Sequence, residues 1–130
     1  MARAGASPGA WKTSPIAAQT ATLTFDRRFS AAEMARLREG LLPEEMEDKW
    51  FIVWEDERLR FHRSWTGICV YVARFAEDPH KADGGLTLVE ALVNRDSQQY
   101  GCKNDVYDGK LLLYLIDALL LGRRAVFPTL

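Results

Sequence analysis

The sequence predicts an α+β fold: an antiparallel sheet of about five strands, in the element order β-α-β-β-β-β-α, with both helices packed on one face. Two observations carry this. Between Lys49 and Val93, four strand-like segments follow one another with only turns and a loop between them, and strands joined so closely pair antiparallel. Two segments with helical spacing, near residues 31–39 and 105–121, each have a start and a stop signal. A chain of 130 residues with 48% hydrophobic residues buries roughly two-thirds of its extended surface, enough for one core.

The elements follow in order. Met1–Thr20 is rich in Ala, Gly, Ser, Thr and Pro, and is expected as a disordered tail on which Trp11 docks transiently. The single α+β domain then spans residues 21–130. Residues 21–29 alternate at Leu23 and Phe25, a first strand. Ser30 and Glu33 have capping-box spacing, and the helix they open runs to about Glu39 with Met34, Leu37 and Leu41 on one face. Gly40 is expected as its left-handed cap, and Pro43 prevents continuation. Strands are expected at about 49–55, 58–65, 68–75 and 86–93, with turns at Asp56-Glu57 and Thr66-Gly67 and a loop over 76–85. After a polar connection, Asn104 or Asp105 caps a last helix that runs to Leu121 and stops at Gly122, with Arg123 and Arg124 near its negative end.

Lys plus Arg count 17 and Asp plus Glu 18, so the net charge of −1 argues against a protein that grips long nucleic acid by bulk charge. The longest apolar run, Leu111–Leu121, is interrupted by Tyr114 and Asp117 and is shorter than the roughly 20 residues a bilayer requires. No membrane association is expected, and the expected location is the cytoplasm. Cys69 and Cys102 lack C-x-x-C spacing; Cys69 is expected as a small core residue, and a disulfide between them stays open. No cofactor motif is present. His62 and His80, without a clear carboxylate companion, do not make a metal site.

Three of the four tryptophans, one of the two histidines and a cluster of arginines fall within Glu47–Gly67. With a two-residue turn at Asp56-Glu57, Trp54 faces Leu59, Ile52 faces Phe61 and Trp50 faces Arg63, all on the side that meets the helices. Trp50 and Arg63 are expected as a cation–π pair. The other side pairs Val53 with Arg60 and Phe51 with His62. Carried through the Thr66-Gly67 turn, this register places Tyr71 beside His62 and Ala73 beside Arg60. The result is an aromatic-basic row, Phe51–His62–Tyr71, flanked by Arg60 and Ser64, on which rings stack a base or sugar and cations meet a phosphate. The bland alternative is a half-exposed sheet face packed for its own sake.

A second candidate region joins Asn94-Arg95-Asp96 and Tyr100 to the helix start at Asn104–Asp108. It completes a pocket with His62 if Arg95 and a carboxylate reach the hairpin; otherwise it is a capped helix after a polar loop. From Lys110 to Leu121 only Lys110, Tyr114 and Asp117 are polar, so the last helix needs cover on several sides: the sheet, the tail Ala125–Leu130, or a second copy in a homodimer.

The element order resembles one half of the TATA-binding protein, a likeness of topology without functional content. The stretches Met46–Phe51, Phe61–Gly67 and Val93–Asp96 resemble a group of small bacterial α+β domains, over roughly residues 44–122; that resemblance implies the hairpin is a signature and implies no activity. Three readings of function stand open. The leading one is a small soluble binding module for an anionic small molecule, a nucleotide or phosphorylated sugar, held by Phe51, Arg60, His62, Arg63, Ser64, Trp65, Tyr71, Arg95 and Asp96. The second is a protein-interaction module, an immunity or regulatory partner, using the C-terminal helix and the acidic stretch Glu44–Asp48. The third is a hydrolase acting on a nucleotide-like bond, with His62 as acid/base.

Overall fold

The computed structural model describes residues 5–129. The chain forms β1 (Thr20–Phe29), α1 (Ala31–Glu39), β2 (Trp50–Glu55), β3 (Arg58–Arg63), β4 (Cys69–Ala76), β5 (Leu86–Asn94) and α2 (Asp105–Tyr114), which continues as a π-helical stretch, Leu115–Leu120. All five strands pair antiparallel in one sheet, in the spatial order β1-β5-β4-β3-β2. The predicted α+β class and five-stranded antiparallel sheet are observed, and the element order differs only in the π-helical stretch that follows α2.

Alternation along the strands sends Trp50, Ile52, Leu59, Phe61, Ala73 and Val93 to one face, where they pack with Met34 and Leu37 of α1 and with Leu112, Leu115 and Ile116 of the last helix. α1 opens as its sequence predicts: Ser30 Oγ accepts from Glu33 N–H at 3.1 Å, and Glu33 Oε1 accepts from Ser30 N–H at 2.8 Å. Gly40 ends it at φ 66°, ψ −159°, outside the left-handed helical region expected of a cap. The difference has a cause. Leu41 must bridge directly to Ile52, so the backbone straightens at Gly40, where a Cβ would stand 2.2 Å from the Ile52 carbonyl oxygen.

The last helix was expected unbroken to Leu121. Instead its final turns widen, and Leu121 N–H bonds the Ile116 carbonyl at 3.0 Å. The wider turn keeps Leu115, Ile116 and Leu120 in the core while Asp117 takes both ends of the Arg27 guanidinium, at 2.5 and 2.8 Å. Arg123, expected near the helix end, pairs with Glu33 of α1 at 2.6 Å.

The β2–β3 register is the one expected, from Trp50↔Arg63 to Glu55↔Arg58. Asp56 and Glu57 both have positive φ, 53° and 59°, the primed turn that suits the twist of a two-residue hairpin. The β3–β4 register is not the one expected. Phe61 pairs with Tyr71 and Leu59 with Ala73, whereas His62 pairs with Cys69, so Val70 is an extra residue in β4. The bulge moves Tyr71 out of the predicted row beside His62 and onto the helix-covered face; Val72, not Ala73, stands opposite Arg60.

Residues 5–19, expected as a disordered tail, carry hydrogen bonds to the body of the domain. Ala6 N–H bonds the Glu39 carbonyl at 2.7 Å, Ser14 N–H bonds the Gly67 carbonyl at 2.9 Å, and the Trp11 indole N–H bonds the Ser64 carbonyl at 2.8 Å. The Trp11 ring stacks on Phe51, centroids 6.1 Å apart. The segment starts beside the end of α1, and Trp11 lies with Phe51 on the sheet face opposite the helices. Among the described residues no helix is long and apolar enough to cross a membrane, and both cysteines are free thiols.

Candidate functional site

The predicted aromatic-basic face is covered rather than open. Phe51 is buried beneath Trp11, and His62 is only 4% exposed. The imidazole Nδ1 sits 3.1 Å from the Gly67 carbonyl, which fixes Nδ1 as the protonated nitrogen. Burial lowers the His62 pKa and the Gly67 hydrogen bond opposes this only in part. Ser64 is likewise committed: its hydroxyl donates to the Asp48 carbonyl at 2.7 Å. Arg60 faces the same side, with Glu55 at 3.9 Å. Cys69, opposite His62, has its thiol pKa pushed up to about 12 by burial.

The second region is well connected, but on the helix side. Asn104 caps α2 by accepting from Tyr107 N–H at 3.0 Å. Asp108, one turn in, is fully buried. Its Oδ1 accepts from the hydroxyls of Tyr71 and Tyr100, each at 2.6 Å. Its Oδ2 lies 2.8 Å from Arg95 Nη1, an ion-pair contact without the alignment of a hydrogen bond. The same Nη1 donates to the Cys102 carbonyl at 3.0 Å, and Nη2 donates to Asp105 at 2.5 Å. Burial lowers the Arg95 pKa, but its two aspartates outweigh burial and leave it raised. Burial raises both tyrosines, so Tyr71 and Tyr100 stand as neutral donors. Asp96 shapes the turn before them: its carboxylate accepts from Gln98 N–H at 3.0 Å. Arg95, Asp105 and Asp108 therefore gather around Tyr71 on one face of the sheet, and His62 points from the other. The structure does not bring the two predicted regions into one pocket around His62.

It builds a different one. A cavity of about 850 Å³ opens between the start of β2, the end of β3, the loop before α2 and the C-terminal segment. Its walls carry three cations, Lys49, Arg63 and Lys103; the polar side chains of Gln99 and Asn104; and the rings of Trp50, Tyr100, Tyr107 and Phe127. No carboxylate is among the described residues that line it. None of the three cations has an ion-pair partner among the described residues. Arg63 is held in place by the expected cation–π contact, its guanidinium 5.0 Å from the Trp50 ring centre. Tyr100 links the cavity to the buried network, its ring on the wall and its hydroxyl on Asp108.

Of the predicted site residues, Arg63 lines this cavity and Trp65 stands beside it. Lys49, Lys103 and Phe127 were not singled out. They come from three distant segments, and no motif links them. No cluster of metal-ligating side chains occurs among the described residues. Compared with known proteins, the chain matches no family model, no curated protein and no solved structure.

Proposed function

We propose that the protein is a binding module for an anionic small molecule, a nucleotide or phosphorylated sugar, and that the ligand occupies the Lys49/Arg63/Lys103 cavity rather than the His62 face. One observation carries the reading. A chain of net charge −1 gathers around one open cavity three cations that have no acidic partner among the described residues. Cations left unpaired against low-dielectric walls focus positive potential and draw in a counter-anion. The cavity volume lies within the roughly 300–1,000 Å³ of small-molecule sites, and a few polar groups among rings is their usual lining.

The roles divide by chemistry. The Arg63 fork, pre-oriented by Trp50, makes paired hydrogen bonds to phosphate oxygens, and Lys49 and Lys103 add mobile charge. Gln99 and Asn104 offer donors and acceptors to hydroxyls or ring edges. Tyr107 and Phe127 offer faces to a base or sugar.

Thermal unfolding with added AMP and ribose 5-phosphate tests this. A ligand at a hundredfold excess over its Kd stabilises by about 2.7 kcal/mol, a readable shift. The expected result is a shift in the wild type that disappears in a Lys49→Ala/Lys103→Ala double variant, while both proteins melt alike without ligand. An equal shift in the double variant, or none with either compound, contradicts the reading.

A further inference from the structure

The wall that carries Lys49, Arg63 and Gln99 has two sides. On its far side lies a second depression of about 290 Å³, lined by the same three residues together with Trp65, Thr66 and Ile68. Trp65 is 71% exposed. Its ring is nonetheless anchored, because the indole N–H donates to the Met46 carbonyl at 3.0 Å. Among the described residues no ring or cation stacks on it. An indole held at its edge and bare on its face, next to two cations, is a platform for a planar ring.

We propose that the site takes two nucleotide units joined through phosphate: one unit in the main cavity, the linking phosphate on Lys49 and Arg63, and the second base on Trp65. The proposal rests on the nucleotide reading above and narrows it. A single phosphorylated sugar sits within the main cavity and leaves the indole unused. Two linked units engage both depressions and place their shared charge where the two meet. The site is also bounded. Past Trp65 the surface turns acidic at Glu44 and Glu45, which repels the next phosphate of a longer strand.

Calorimetric titration of AMP, the 3′,5′-linked dinucleotide pApA and a ten-residue oligoadenylate into the full chain tests this. The wild type is expected to bind pApA about tenfold or more tighter than AMP, the gain that one stacked base supplies. Trp65→Ala removes that gain and leaves AMP binding unchanged; Trp65→Phe, which keeps a ring but loses the bond to the Met46 carbonyl, retains part of it. Equal affinity for pApA and AMP overturns the proposal, as does a Trp65→Ala variant that still prefers pApA. An oligoadenylate bound more than about tenfold tighter than pApA overturns the two-unit limit. Silence from AMP and pApA alike is a failure of the nucleotide reading itself, a result distinct from binding without preference.

Discussion

Asp108 is a buried carboxylate whose two oxygens are served by three side chains, Tyr71 of β4 and Arg95 and Tyr100 of the loop before α2. Removing one donor leaves the buried carboxylate under-satisfied in a low dielectric, so Tyr71→Phe is expected to cost about 1.5–3 kcal/mol in urea unfolding. Asp108→Ala leaves the Tyr71 and Tyr100 hydroxyls with only each other, at 3.3 Å, and takes a buried countercharge from Arg95, which keeps Asp105 and the Cys102 carbonyl; a loss of about 3–5 kcal/mol is expected. His62 sets a pH dependence of known sign. Its folded pKa lies below the unfolded 6.5, so protonation favours the unfolded chain. Its contribution is level above that value and is lost as pH falls through the lowered folded one, with a slope of at most about 1.4 kcal/mol per pH unit. Urea midpoints measured down to about pH 5 should show this slope in the wild type and a weaker one in His62→Gln. At this scale the sequence was partly legible. The Trp50–Arg63 pair follows from strand alternation alone. The partners of Asp108 do not, because they meet through tertiary packing.

Among elements, the β2–β3 hairpin was legible to the residue, because its two-residue turn leaves only one register that keeps Ile52, Leu59 and Phe61 on one side. The β3–β4 pair was not. The extra residue Val70 carries no sequence mark, being one apolar residue among several, and it shifts Tyr71 across the sheet. Turn chemistry makes two predictions. Glu57 holds φ 59° without being glycine, so Glu57→Gly should raise stability by about 1 kcal/mol or less, as relief of left-handed strain exceeds lost chain stiffness. At Gly67 the φ is 76° and a Cβ would stand 2.4 Å from the Lys12 carbonyl oxygen. Gly67→Ala should therefore loosen the segment that carries Trp11, seen as a red shift of tryptophan emission with a stability loss of about 1 kcal/mol or more. An unchanged spectrum would show that the segment does not depend on this close approach.

For the molecule as a whole, the N-terminal segment acts as a third layer. It closes the sheet face that the sequence alone presents as an aromatic-basic platform, and so moves the open cationic surface to the other side. Composition hid this, because a stretch rich in Ala, Gly, Ser and Pro has no periodicity to reveal one docking tryptophan. Deleting residues 1–19 is expected to bare Phe51 and its neighbours, lower stability, and raise self-association in light scattering above that of the full chain. The cavity was equally unreadable, since Lys49, Arg63 and Lys103 converge only when the hairpin end meets the start of α2.

The location of the ligand site is the central claim, and backbone amide shifts in a ¹⁵N-labelled full chain titrated with AMP test it most directly. The account predicts shifts at Lys49, Trp50, Arg63 and Gly101–Asn104, with Phe51, Arg60 and Cys69 unmoved. Shifts centred on Phe51, Arg60 and Cys69 instead would contradict it, and would return the site to the face that Trp11 covers.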